Sequence, residues 1–178
     1  GDDFTGSAAS LEVLAFAGIP SVLFLSVPSK AQMELFPKAQ AIGVATTARS
    51  QSPDWMQLHL PEYFKFLKDL SPVISHYKVC STLDSSPEIG SIGCALDIAQ
   101  SIFNSPWIPV LIAAPKMGRY QIFGHLFAAS GSQVYRLDRH PTMRNHPITP
   151  MQESDVAKHL MLQSTHKIHN LRLDTLSG

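Results

Sequence analysis

Apolar and polar residues alternate along the chain in blocks that are typical of strands separated by helices. Apolar runs predict strands, and the continuous run Val-Leu-Phe-Leu at 22–25 is typical of a strand covered on both faces. The predicted strands are residues 19–27, 41–45, 73–79 and 107–114. The predicted helices are residues 7–17, 55–70 and 87–103. This order predicts an α/β fold with a mostly parallel sheet and helices on both faces.

The first residues predict the second half of a βα unit. Residues 1–6 read Gly-Asp-Asp-Phe-Thr-Gly and lead straight into the first helix, which Gly18 is suited to end. Because such a loop normally follows a strand, we expect the sheet to lack its first strand. Pro61 is expected to kink or split the second predicted helix, residues 55–70, and residues 28–38 predict a plain connection.

The pattern changes after Arg119. Two apolar segments, 120–128 and 133–137, flank Ser-Gly-Ser at 130–132 and predict a C-terminal β-hairpin, with a short helix as the alternative for the first segment. A polar, proline-bearing loop follows at 138–150. Thr149, Pro150 and Gln152 form a capping box that predicts a helix to about Gln163, and residues 167–173 predict one more strand.

Composition narrows the class of protein. A chain of 178 residues with 44% hydrophobic content predicts one domain over residues 1–178. Fourteen basic and fourteen acidic side chains give no net charge, which argues against nucleic acid as a partner. No apolar run approaches the ~20 residues of a membrane span, so we expect a cytoplasmic protein, with a homo-oligomer left open. Cys80 and Cys94 are interpreted as reduced thiols.

The stretch 77–93 predicts a ligand site. An apolar strand passes into a hydroxyl-rich loop, and Ser86-Pro87 predicts the start of the next helix. Ligands of open α/β sheets bind at such strand ends, where a helix N-terminus favours an anion. Lys78 adds a positive charge, and Ser81 and Thr82 add hydroxyl donors. An ordinary βα loop whose serines only cap the helix is an equally good interpretation of this pattern.

Four segments in order resemble one known family. They are Asp2-Asp3-Phe4-Thr5-Gly6; Tyr77-Lys78-Val79-Cys80-Ser81-Thr82; Ala114-Pro115 with Gly118-Arg119-Tyr120 and Gly124-His125; and His140-Pro141-Thr142-Met143 with His146-Pro147-Ile148-Thr149-Pro150-Met151. Together they resemble the N-terminal, substrate-binding domain of the four-carbon acid sugar kinase family. The run Cys-Ser-Thr-Leu-Asp-Ser-Ser-Pro-Glu-Ile-Gly at 80–90 is most similar to the 3-oxo-tetronate kinase branch.

The resemblance implies a kinase that phosphorylates the terminal hydroxyl of a 3-oxo-tetronate-like acid sugar. It implies a C-terminal domain that binds ATP with Mg²⁺ and lies outside residues 1–178, so the chain alone is expected to be inactive. The implied substrate contacts are Asp2, Asp3, Arg49, Lys78, Ser81 and Thr82. An arginine fork suits a carboxylate, a lysine supplies a point charge, and an aspartate can orient or deprotonate a hydroxyl. The sequence does not choose between Asp2 and Asp3 for this catalytic role.

Some residues depart from the family pattern. Cys80 stands where other branches have aspartate, and Asp84-Ser85-Ser86 stand where they have Arg-Gly-Asn, which leaves the substrate open. The alternative function is a non-catalytic fragment or a sugar-acid binding module. An oxidoreductase is a weaker candidate, because neither a dinucleotide glycine fingerprint nor a P-loop occurs. His125, His140 and His146 lack the spacing that metal sites favour.

Overall fold

The computed structural model describes residues 1–171. The α-helices are Phe4–Phe16 (α1), Lys30–Glu34 (α2), Pro53–Asp69 (α3), Ile92–Phe103 (α4) and Val156–Met161 (α5). The strands are Ser21–Phe24 (β1), Ala41–Val44 (β2), Arg119–Ile122 (β3), His125–Ser130 (β4) and Gln133–Arg136 (β5). Short 3-10 turns are Ala48–Ser50, Pro115–Met117, Leu137–Arg139 and Met143–Asn145.

The N-terminal half is built on a parallel strand pair. β1 and β2 pair in register from Ser21 with Ala41 to Phe24 with Val44, and α1 packs on both strands. Gly43 lets the helix come close, since a Cβ there would lie 2.6 Å from Leu11 Cδ1. A parallel strand pair with a helix packed on it confirms the predicted α/β class. The β1 side chains are only half buried, so the expectation of a strand covered on both faces is wrong for β1.

The C-terminal half carries an antiparallel sheet in the order β3-β4-β5. β4 and β5 form the predicted hairpin, with Gly131 at a φ of +60° in its turn. The segment 120–128 is strand rather than helix, but Phe123 and Gly124, both with positive φ, divide it into two strands. Nothing in the sequence marks Phe123 as a residue with positive φ. The apolar pattern therefore predicted one continuous segment there.

Two predicted strands are extended segments without a ladder. Residues 73–79 contact the rest of the backbone through the Asp2 amide, which donates to the Lys78 carbonyl at 2.9 Å. Val73 and Ile74 are 100% and 80% exposed, whereas Tyr77 and Val79 at the end of the run pack against buried apolar residues. Residues 107–114 form one isolated bridge, between Ala114 and Arg119. Among the described residues no neighbouring strand lies beside either run, and an apolar run alone does not make a strand.

The last predicted strand, 167–173, extends past the described residues. Its described part, up to Leu171, is not a strand.

Helix boundaries differ from the prediction where more than one nearby residue could cap the helix. α3 continues through Pro61 without a break. α4 begins at Ile92 because Ser91 caps it and Gly90, at a φ of +62°, interrupts the chain before it. The predicted cap, Ser86, instead accepts hydrogen bonds from the amides of residues 88 and 89 in a local turn. α5 begins at Val156 with Asp155 as cap, six residues after Pro150, where the sequence predicted the start of a helix. α2 lies inside residues 28–38, which were predicted to be a plain connection.

Two hydrophobic clusters hold the chain together. One joins α3 and α4, and its buried residues are Ala48, Met56, Leu60, Phe64, Cys94 and Ala95. The other joins the antiparallel sheet to α5, and its buried residues are Leu83, Ile92, Ile112, Leu126, Ala128, Leu137, Met143, Met151, Val156 and Leu160. Leu83 ties the hydroxyl-rich loop to the second cluster. In residues 1–171 no helix is both long and apolar enough to cross a membrane.

Candidate functional site

Two segments flank the first residues of the chain. The Thr46 amide donates to the Gly1 carbonyl at 3.1 Å, and the Arg49 amide donates to the Asp2 carbonyl at 3.0 Å. On the other side, the Asp2 amide donates to the Lys78 carbonyl. The loop after β2 and the segment that ends at Lys78 therefore flank the start of α1. The predicted site residues Asp2, Arg49 and Lys78 are brought together by backbone bonds.

Arg49 connects the two aspartates. Its Nε and Nη2 donate to the two carboxylate oxygens of Asp2 at 3.1 and 2.8 Å, and its Nη1 donates to Asp3 Oδ2 at 2.6 Å. Such a bidentate, charge-assisted pair is among the strong hydrogen-bonding arrangements of proteins. Three N–H groups of the fork are therefore engaged with the protein's own carboxylates. The sequence identified Arg49, but it could not show that its partners are Asp2 and Asp3.

The two aspartates have different environments. The Asp2 side chain is 4% exposed, whereas that of Asp3 is 27% exposed. Burial raises the pKa of the Asp2 carboxyl, and the bonds from Arg49 oppose this shift. Asp3 is the N-cap of α1, and its Oδ1 accepts from the Gly6 amide at 2.7 Å. Of the two carboxylates, Asp3 is the one that a molecule at the surface can contact.

Lys78 lies against the first turn of α1. A Cβ on Gly6 would lie 3.5 Å from Lys78 Nζ and 2.7 Å from Asp3 Oδ1, so both charged groups crowd this glycine. The Lys78 ammonium donates to the Val79 carbonyl. Because a helix N-terminus carries partial positive charge, this ammonium and the α1 amides together form a positive region beside the Asp3 carboxylate.

The predicted hydroxyl loop forms a neighbouring network. Thr82 Oγ1 and Cys80 Sγ both donate to the Asp84 carboxylate, at 2.8 and 3.0 Å. Thr82 is 7% exposed, and Ser81 is half buried. Burial and the Asp84 carboxylate raise the pKa of the Cys80 thiol, which is therefore a neutral donor. Neither Ser81 nor Thr82 hydrogen-bonds to the Arg49 cluster in the described part of the chain.

Sequence reasoning missed two residues of this region. Asp84 organises the hydroxyl loop, and a carboxylate two positions after Thr82 is a signal that could have found it. Gly90 packs on the Arg49 backbone, since a Cβ there would lie 2.4 Å from the Arg49 carbonyl oxygen, and its φ is +62°.

The Tyr77 hydroxyl is buried without a hydrogen-bond partner among residues 1–171, and burial raises its pKa.

The Arg49 cluster is partly exposed, with the Arg49 and Asp3 side chains 28% and 27% exposed. Two clefts of about 290 and 230 Å³ lie elsewhere, one lined by Pro20, Leu35 and Phe36 and the other by Pro53, Cys94 and Asp97. Within residues 1–171 no three metal-ligating side chains gather in a cluster that could hold a metal ion. Together, the acidic pair, the lysine and the start of α1 lie beside the loop that follows β2, within an α/β fold.

The chain belongs to the family of sugar-binding N-terminal domains, whose sequence model matches residues 1–178. It is 46% identical over 178 residues to a 3-oxo-isoapionate kinase of Paraburkholderia graminis, covering 100% of this chain and 38% of that protein. It is 30% identical over 177 residues to a 3-oxo-tetronate kinase of Pseudomonas savastanoi pv. phaseolicola, covering 99% and 39%. The chain thus spans less than half the length of these curated relatives.

Two solved structures share the fold. A protein of Salmonella typhimurium LT2 superimposes with a TM-score of 0.83 at 28% identity, over 93% of this chain and 38% of that one. A Haemophilus influenzae protein gives a TM-score of 0.78 at 27% identity, again over 93% and 38%. The family that the sequence motifs resemble is therefore confirmed.

Proposed function

We propose that this chain is the acid-sugar-binding part of an ATP-dependent kinase that phosphorylates the terminal hydroxyl of a four-carbon acid sugar. The observation that carries the proposal is the Arg49 fork, which holds Asp2 and Asp3 together beside Lys78 and the start of α1. Similarity to curated 3-oxo-isoapionate and 3-oxo-tetronate kinases supports the reaction type and the substrate class.

The different exposure of the two aspartates suggests separate roles. Asp2 is buried and bidentate with Arg49, so it fixes the guanidinium. Asp3 is held by the same guanidinium but remains partly exposed, so it orients the reacting hydroxyl and takes its proton. Lys78 and the α1 N-terminus hold the substrate's negative charge. Arg49 is then a support for the acidic pair, and its remaining N–H groups can still reach a ligand.

The hydroxyl loop supplies the remaining substrate contacts. Ser81 is half buried. The hydroxyl proton of the neighbouring Thr82 is already engaged, because Thr82 donates it to the Asp84 carboxylate. Thr82 is thereby left as an acceptor, which suits a hydroxyl donor of the sugar. Ser81 can both donate and accept. This loop is suited to the hydroxyl end of the ligand, because the Asp84 carboxylate disfavours a second carboxylate nearby.

ATP and Mg²⁺ are proposed to bind outside this chain. Residues 1–178 contain no glycine-rich phosphate loop. The chain covers only 38% of the Paraburkholderia graminis kinase, so most of that protein aligns with nothing here. The partial exposure of the Arg49 cluster fits a site that a second, nucleotide-binding domain completes. The partners are then a small sugar acid and that domain, and a cytoplasmic location follows from such a metabolic role.

A chimera tests the proposal. This chain replaces the segment of the Paraburkholderia graminis kinase to which it aligns, and ATP-dependent phosphorylation of 3-oxo-tetronate is measured. We expect turnover by the chimera, none by this chain alone, and a strong loss in the Asp3→Asn chimera. A folded chimera that binds the sugar acid without turnover contradicts the kinase proposal and favours a binding module. Turnover by the isolated chain contradicts the assignment of ATP to another segment.

A further inference from the structure

Three polar side chains meet beneath the hydroxyl loop, and two of them, Ser85 and His159, are buried. Ser85 Oγ lies 2.9 Å from His159 Nε2 and 3.0 Å from Gln163 Nε2, and the two nitrogens lie 2.9 Å apart. Ser85 and His159 are 3% and 8% exposed. His159 belongs to α5 and Gln163 follows that helix, so these contacts span more than seventy residues of sequence. None of the three is among the proposed site residues, and the family resemblance assigns none of them a function.

The loop above this cluster holds a strained residue. Leu83 has a φ of +60° and is 1% exposed. A leucine in this conformation is an outlier, and it persists only where its surroundings fix it. Its amide donates to the Cys80 carbonyl at 3.0 Å, and Ser85 Oγ donates to its carbonyl at 2.8 Å. The shape of residues 80–84, which present Ser81 and Thr82, therefore depends on Ser85.

The α5 end is anchored independently of the loop. Gly93 touches Gln163 so closely that a Cβ there would lie 2.5 Å from the Gln163 carbonyl carbon, and its amide donates to Gln163 Oε1 at 3.4 Å. One turn later, Asp97 accepts hydrogen bonds from the Ser164 hydroxyl and from the amide and hydroxyl of Thr165. The His159–Gln163 pair is thus fixed to α4, and it gives the loop a rigid support.

We propose that His159 and Gln163 are positioning residues that hold the substrate loop 80–84 in its binding shape through Ser85. This inference rests on the proposed function. Neither side chain hydrogen-bonds to Asp2, Asp3 or Arg49 in the described part of the chain, so both act through the loop. Their effect therefore falls on binding of the sugar and not on the nucleotide.

The test uses the active chimera and KM values. His159→Ala raises the KM for 3-oxo-tetronate about tenfold, the order expected when a buried hydrogen-bonding group loses its partner. The KM for ATP stays unchanged. His159→Gln places an amide nitrogen near the position of Nε2 and recovers most of the affinity. A residue with only a structural role would show equal stability losses in both variants and no selective change in KM.

A second His–Ser contact, in which the serine is buried, provides the matched control. His125 lies on β4, and its Nδ1 is 2.9 Å from the Ser154 hydroxyl, a contact that involves no residue of the loop 80–84. His125→Ala lowers stability without raising the KM for the sugar. If His159→Ala and His125→Ala change this KM equally, or if His159→Gln recovers nothing, the inference is overturned.

A second readout separates this inference from the proposed function. In the isolated chain, His159→Ala speeds hydrogen exchange at the Leu83 amide, and His125→Ala does not. An inactive parent chimera together with this selective change contradicts the kinase and leaves the support of the loop in place. Equal exchange in the two variants contradicts the support itself.

Discussion

Replacing Arg49 with lysine tests whether its fork holds the acidic pair. Arg49 donates three hydrogen bonds to Asp2 and Asp3, and a lysine ammonium keeps the charge but reaches only one carboxylate well. Two bonds to charged groups are then lost, at about 1.5–3 kcal/mol each. The Asp3 side chain is 27% exposed, so water replaces part of the loss there. We expect the free energy of unfolding to fall by about 2–4 kcal/mol.

Urea denaturation followed by far-UV circular dichroism at pH 7 measures this change. Arg139→Lys is the matched control, because that side chain is 73% exposed and lies 4.0 Å from Asp138. Its effect should stay within about 0.5 kcal/mol. The sequence alone predicts that Arg49→Lys leaves the fold intact, since a loop arginine lies outside the core. An Arg49→Lys value equal to that of the control refutes the supporting role of the fork.

Two further predictions concern stability. Gly6→Ala should lower Tm in calorimetry despite its better helix propensity, because the new Cβ lies 2.7 Å from Asp3 Oδ1; a higher Tm contradicts the crowding. Burial alone raises the pKa of Asp97, but bonds from residues 164–166 outweigh it and the pKa lies below 3.8. The stability lost in Asp97→Asn should therefore be largest near neutral pH and vanish as the pH falls well below 3.8, as urea titrations at several pH values can show.

The sequence predicted the elements that local chemistry determines. The strands around Val22 and Ile42, the first helix and the hairpin at Gly131 lie where periodicity and turn residues placed them. Strand pairing was less predictable, because an apolar run such as 73–79 becomes a strand only when a neighbour supplies the ladder. The helix starts at Ile92 and Val156 were missed because several serines, threonines and aspartates compete to cap, and tertiary contacts choose among them.

The candidate site was predictable as a set of residues but not as a set of contacts. Acidic, basic and hydroxyl residues after apolar runs predicted a candidate ligand site, and the structure brings Asp2, Asp3 and Arg49 into one hydrogen-bonded group. Which aspartate is accessible depends on burial, which a local pattern does not encode. The support of the loop by His159 joins residues far apart in sequence, so no motif could reveal it.

Binding of the sugar acid to the chain itself tests the central claim most directly. Calorimetric titration of 3-oxo-tetronate into the unmodified chain, into Lys78→Met and into Lys116→Met compares the proposed cation with an exposed lysine outside the site. We predict binding by the unmodified chain and by Lys116→Met, and an affinity lower by roughly tenfold in Lys78→Met, with circular dichroism unchanged in all three. Equal affinity in the two lysine variants would contradict a binding site at the start of α1.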